Sequence, residues 1–230
     1  MKIYVKGQPK ELNDTRIEQL YLSSTDTAIV TVDLHEGHLS NDPLCPCPAE
    51  RGRGLISPVN AFTSACRKRG IPIIHVRSVL REDGSDDVLG NISAWRLLFP
   101  LTGVALPNAD QHALQGSRWT EFSIDVEEND YVIDSKKRLS CFYPTDLELL
   151  LRNLHKRIVV LAGAMTDCCV LNTAFDAANR DFRVIVVKDL TIGDVDLEES
   201  ALHIISSHLG LVLNSGELLQ EWDRNDQSTH

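Results

Sequence analysis

The chain is short of basic charge, has no long apolar run and has no complete zinc-type Cys/His motif, and each shortage removes a class of function. Lysine and arginine number 23 against 33 aspartates and glutamates, a formal net charge of −10. That balance opposes a surface built for nucleic acid or an anionic membrane. It does not oppose an anionic substrate, because a local basic pocket can sit inside an acidic protein. No apolar stretch approaches the ~20 residues of a membrane span. The first ten residues are polar and mixed, without the apolar segment of a secretory leader. Cys45, Cys47, Cys66, Cys141, Cys168 and Cys169 are therefore expected as free thiols in a reducing cytoplasm. Cys45-Pro46-Cys47 has the spelling of half a zinc site, but no second Cys/His pair of suitable spacing accompanies it. Two ordinary loop thiols are expected there. Internal repeats and low-complexity tracts are also lacking.

What is present is the pattern of an α/β domain. The 230 residues, 43% of them hydrophobic, suffice for one domain with a full core. Residues 1–25 read as an N-terminal extension and 224–230 as a fraying tail. Short apolar runs at 27–33, 71–76, 131–134, 157–162 and 182–187 read as strands. A final run at 209–213 reads as an edge strand. Helices are expected over 55–69, 166–180 and 197–207, with Thr166 or Asp167 as the cap of the second. Val/Ile runs alternating with helices indicate a doubly wound, mostly parallel sheet with helices on both faces, a three-layer Rossmann-like architecture. Residues 79–128 are irregular apart from a helical pattern at 92–99. A stretch this long inside a compact domain reads as a pocket wall or lid.

In such sheets reacting groups collect at the carboxyl ends of strands. Three complementary groups stand at such ends. Asp33 closes the first run, Lys136 and Lys137 follow another, and Cys168 and Cys169 follow a third. A thiol at a helix start meets unpaired N–H groups and a partial positive charge, both of which favour thiolate. Each residue alone has a blander reading: a packed cysteine, a capping aspartate, a solvated lysine. Their coincidence on one sheet edge favours catalysis, with Asp as base, Lys as positioning cation and Cys as nucleophile.

Three segments also carry a resemblance. They are Ala28-Ile29-Val30-Thr31-Val32-Asp33, then Lys136-Lys137-Arg138-Leu139-Ser140-Cys141-Phe142, then Gly163-Ala164-Met165-Thr166-Asp167-Cys168-Cys169-Val170. Together they are similar to the motifs of the isochorismatase-like cysteine hydrolases, the superfamily of nicotinamidases and N-carbamoylsarcosine amidohydrolase. The resemblance implies that family's fold and a catalytic set of Asp33, Lys136 and Cys169. Lys136 stands six before Phe142, and Cys169 immediately precedes Val170. It also implies a cis peptide before Met165, with the Met165 and Cys169 N–H groups as oxyanion hole. Two positions depart from the pattern: His35 stands where a Gln is usual, and His38 where an aromatic ring is usual.

The resulting expectation is a metal-independent, cofactor-free amidohydrolase. It would act on a small amide or ureido substrate through a thioester, in a cytoplasmic homodimer or homotetramer. His38, Arg77, Trp95 and Trp119 are candidate substrate contacts. For Arg77 a surface salt bridge is an equal alternative, and for the two tryptophans core packing is. His35, His38 and His75 could gather at one edge, but without a spacing motif they do not argue for metal. Asp110-Gln111-His112 has the Asp-x-His spelling of the nicotinamidase metal site, yet lies far from its usual place and reads as a surface turn. The alternatives are a vinyl-ether hydrolase of isochorismatase type, which Cys169 opposes, and a non-catalytic binding member of the fold. A redox role for Cys168-Cys169 is a minor third.

Overall fold

The computed structural model describes residues 1–49, 51–86, 106 and 108–227. The helical pattern at 92–99, and Trp95 with it, lie outside these. Eight strands form one sheet: β1 Lys2–Val5, β2 Gln8–Glu11, β3 Thr27–Val32, β4 Ile73–Ser78, β5 Tyr131–Lys136, β6 Ile158–Ala164, β7 Arg183–Ile192 and β8 Gly210–Leu213. Their order is β2-β1-β8-β7-β6-β3-β4-β5. From β8 to β5 every neighbouring pair is parallel. β1 pairs antiparallel with both of its neighbours, β2 and β8.

The central strands read as continuous apolar runs because both of their faces are covered. All residues of β3 and β6 are buried. Their side chains alternate between two cores. Ile29, Val160 and Ala162 join Val59, Phe62 and Cys66 of the helix Ile56–Lys68, and Leu218 and Trp222 of the helix Ser215–Gln227. Ala28, Val30, Val32, Val159 and Leu161 join Leu147 and Leu151 of the helix Leu147–Asn153, and Ala174 and Ala177 of the helix Leu171–Asn179. The result is the expected three-layer architecture.

Two expectations at the ends of the chain are corrected. The run at 209–213 is not an edge. β8 lies between β7 and β1, because residues 2–11, despite their mixed composition, fold as a hairpin that extends the sheet. Residues 224–227, expected as part of a tail, continue the last helix. The last helix runs to Gln227, anchored by the fully buried Trp222.

The strand order places the switch point of the sheet between β3 and β6. The chain builds outward from β3 to β4 and β5, then returns to the other side of β3 as β6. The crossover helices on the two sides cover opposite faces, so a crevice opens at the carboxyl ends of β3 and β6. There Val32 is in register with Gly163. Gly163 has φ +131°, and a Cβ on it would sit 2.2 Å from the Val32 carbonyl oxygen. Only glycine lets the two strands approach so closely. Gly163→Ala is expected to lower stability by about 1–3 kcal/mol through backbone strain and forced separation of the strands. Urea unfolding measures this, and a wild-type midpoint would contradict it.

Candidate active site

Asp33 follows β3 directly, and its backbone takes a left-handed turn with φ 51°. Such a conformation is uncommon for a non-glycine residue and persists where the surroundings hold it. Its amide still donates to the Val76 carbonyl of β4. The carboxylate is fully buried and held on both oxygens. Oδ1 accepts from the Ser78 amide at 2.8 Å and the Ser78 hydroxyl at 3.1 Å. Oδ2 accepts from the Lys136 ammonium at 2.6 Å.

Ser78 and Lys136 are the last residues of β4 and β5 and lie in register with each other. The Ser78 hydroxyl accepts from Lys136 Nζ at 2.7 Å while donating to Asp33. Lys136 Nζ is also 3.4 Å from Cys169 Sγ. One ammonium, 1% exposed, thus touches the carboxylate, the hydroxyl and the thiol. Ser78 was missed by sequence reasoning, although it ends a strand as Asp33 and Lys136 do.

Lys137 points elsewhere. It donates to the Val79 carbonyl and pairs with Asp86 at 3.0 Å, so it is a partly buried tie between β5 and the loop after β4 rather than a free surface charge.

The thiol is delivered by the turn after β6. A cis peptide joins Ala164 and Met165. Residues Thr166–Val170 then form a single π-helical turn, in which the Val170 amide reaches back to the Met165 carbonyl, before the helix Leu171–Asn179. Neither Thr166 nor Asp167 caps this helix, which corrects the sequence expectation. The Thr166 hydroxyl has no hydrogen-bond partner among the described residues, and Asp167 Oδ1 accepts instead from the Asp194 amide, tying the turn to the exit of β7. A π-turn inserts a residue, and such turns recur at functional sites.

Asp33, Lys136, Met165, Cys168 and Cys169 line a cavity of about 370 Å³. Leu80 and His112 form part of its wall, with His38, Cys47, Lys137 and Arg138. His38 is therefore at the cavity as expected. Arg77 and Trp119 are not among the lining residues. The Arg77 guanidinium lies over Phe122 at 4.7 Å and donates to the Thr120 carbonyl, and Trp119 is buried beneath the Arg118 guanidinium.

The histidines also depart from expectation. His75 does not join the others. It is satisfied between Thr31 Oγ1 at 2.8 Å and Asp130 at 3.1 Å. His112 is not on a surface turn. It is buried, with Nε2 3.3 Å from His38 Nε2. His35, His38 and His112 form one buried group whose nitrogens lie within 4.8 Å of one another.

Charges in this pocket are set by burial against pairing. Burial pushes the Asp33 carboxyl up, but the Lys136 ammonium more than reverses this and holds it well below the usual carboxylate range. Burial likewise opposes the ammonium of Lys136, and Asp33 raises it above its ordinary value. The hydrogen bond to Cys168 and burial raise the Cys169 thiol, while Lys136 pulls it down. Cys47 and Cys141 are pushed up to about 12 by burial, as inert thiols are. Burial and the neighbouring His38 bring His35 down to about 3; burial also lowers His38 and His112, so all three are neutral at pH 7.

The fold belongs to a known class. A family described as Isochorismatase domain matches residues 27–213, and the chain belongs to that family. It is similar to the N-carbamoylsarcosine amidase of Arthrobacter sp, with 27% identity over 73% of this chain and 59% of that protein, so it spans under two thirds of that relative. It is similar also to the ureidoacrylate amidohydrolase RutB of Methylorubrum extorquens, with 34% identity over 86% of this chain and 83% of that one. The fold matches the crystal structure of a cysteine hydrolase from Pseudomonas syringae pv. phaseolicola 1448A with TM-score 0.75. That match has 21% identity and covers 88% of this chain and 94% of the other.

The two adjacent lysines give a direct test of the site's electrostatics. Lys136→Met removes the ammonium facing the thiol and is expected to raise the Cys169 pKa by about 1–3 units, slowing alkylation at neutral pH. Lys137→Met leaves that profile unchanged. Iodoacetamide reactivity against pH checks both. A shift confined to the Lys137 variant would contradict the assignment.

Proposed function

We propose that the protein is a cysteine amidohydrolase that cleaves a small, non-peptide amide or carbamoyl C–N bond through a thioester. The carrying observation is the contact of one buried ammonium with both the Asp33 carboxylate and the Cys169 sulfur. The sulfur faces a cavity sized for a small molecule.

In this reading Asp33 takes the thiol proton as Cys169 attacks the carbonyl carbon. With the carboxyl held low and the thiol held high, transfer ahead of attack is uphill. Deprotonation is therefore coupled to formation of the C–S bond. The tetrahedral oxyanion is received by the Met165 and Cys169 amides. Asp33 then gives its proton to the leaving nitrogen, and ammonia or an amine departs. Water, deprotonated by Asp33, attacks the thioester, the C–S bond breaks, and the acid leaves with the thiol restored. Lys136 and Ser78 hold the carboxylate aimed throughout. Lys136 remains charged, so its role is positioning and electrostatic.

Relatives named for carbamoylsarcosine, ureidoacrylate and maleamate support an acidic small amide as the substrate class. Arg138, on the cavity wall, replaces Arg77 as the candidate partner for such a carboxylate. The cytoplasmic setting and the homo-oligomeric state remain part of this proposal. Among the described residues no helix is long and apolar enough to cross a membrane.

Ammonia release from a panel of ureido acids, carbamoyl amino acids and half-amides of diacids tests the activity. Cys169→Ala is expected to lower kcat at least about 10⁴-fold, as loss of a nucleophile does. Cys168→Ala should keep most of it. Turnover that survives loss of Cys169, or follows Cys168, would overturn the reading.

A further inference from the structure

We propose that His35, His38 and His112 form a binding site for one divalent transition-metal ion of the zinc class at the cavity floor. This goes beyond the thiol chemistry and does not depend on it, since no step proposed for Asp33, Lys136 or Cys169 uses an imidazole. It also replaces the metal-independent expectation drawn from sequence.

Three buried imidazoles in mutual contact call for an explanation. Ring centroids of His35 and His38 lie 4.8 Å apart, those of His38 and His112 4.9 Å, and those of His35 and His112 5.7 Å. His38 Nδ1 lies 2.8 Å from the Cys47 carbonyl, which can only accept, so Nδ1 carries the proton. Its Nε2 therefore presents a lone pair. A carbonyl partner on the far nitrogen is the usual support of a metal-binding histidine.

The His112 Nε2 at 3.3 Å completes a pair of facing nitrogens. Two nitrogens each ~2.0–2.1 Å from a tetrahedral zinc stand ~3.3–3.4 Å apart.

His35 supplies the third position. Its Nε2 is buried without a hydrogen-bond partner among the described residues, 3.9 Å from Asp33 Oδ1. Its Nδ1 accepts from the Gly37 amide at 3.2 Å, so the neutral ring carries its proton on Nε2; an ion at Nε2 displaces that proton. In the ion-free ring Nε2–H is too far from Asp33 to bond. An orphaned buried polar nitrogen is costly, and an ion removes that cost.

The ligands come from short elements. His35 caps the helix Glu36–Leu39 after β3, His38 lies within it, and His112 ends the 3₁₀ turn Ala109–Gln111. Three imidazoles with a further position open are a recurrent zinc set, and imidazole also suits iron, nickel and copper. The site differs from an Asp-x-His element, since Asp110 is exposed while His112 is buried. His38 and His112 both line the cavity, so the open position faces it. An ion there supplies a positive charge to a carbonyl or carboxylate oxygen of the cavity's occupant.

The test is metal uptake by the intact protein, read without turnover. Chelator-stripped protein is dialysed against Zn(II) alone and its metal content measured, with Co(II) absorption as a second reading. One ion per chain is expected. His35→Ala, His38→Ala and His112→Ala should each weaken binding more than about 100-fold, beyond the 10–100-fold usual for a supporting residue. Urea midpoints of the three variants establish that they fold. Cys169→Ala and Cys47→Ser should keep one ion each, which separates this site from the cavity thiols. If the wild type takes up no more Zn(II) than the triple histidine variant, the imidazoles are only hydrogen-bonded to one another and the proposal fails. It fails equally if the cysteine variants lose the ion and the histidine variants keep it.

Discussion

The buried ion pair of Lys136 and Asp33 is the constraint around which the rest of the site is arranged. Both side chains are almost fully buried. A lone buried charge costs several kcal/mol, so each depends on the other and on Ser78, which accepts from one and donates to the other. The pair is poor evidence for stability, because hydrophobic residues of equal volume would pack without that cost. It is better evidence for use. Its ammonium has one further neighbour of chemical interest, the Cys169 sulfur.

The fold makes this arrangement inexpensive to hold. Three neighbouring parallel strands end at the same level, so Asp33, Ser78 and Lys136 meet without any long loop having to place them. The fourth group arrives across the switch point, where Gly163 lets β6 close against β3 and the turn after it brings the thiol in. A position on rigid strand ends suits chemistry in which errors of about 1 Å in placement are costly. The wall facing the strand ends is drawn from less regular chain, including Leu80 and His112.

Much of this was legible in the order of residues. Asp33 and Lys136 close Val/Ile runs, and Cys169 follows one at a turn, so the period of the strands points to their ends and the chemistry of the residues does the rest. Ser78 was legible in principle by the same rule, but serine ends many strands without consequence. His112 was not legible. It stands 74 residues from His38 in a stretch with no period, and only the folded chain brings the two rings together. The N-terminal hairpin was hidden for a different reason. Its residues are largely exposed, so it carries little apolar alternation, and its place is set by pairing with β8. Trp222 gave a signal that its polar neighbours obscured. Arg77 shows the reverse case: a cation at a strand end whose guanidinium lies over Phe122.

The central claim is that Cys169 forms a covalent acyl intermediate beside the Lys136–Asp33 pair. Intact-protein mass measurement of enzyme quenched in acid during turnover of a small amide tests it most directly. The account predicts an added mass equal to the acyl group, mapped to the peptide holding Cys169 and released by hydroxylamine. Product formation with no adduct at any quench time, or an adduct on another residue, would contradict it.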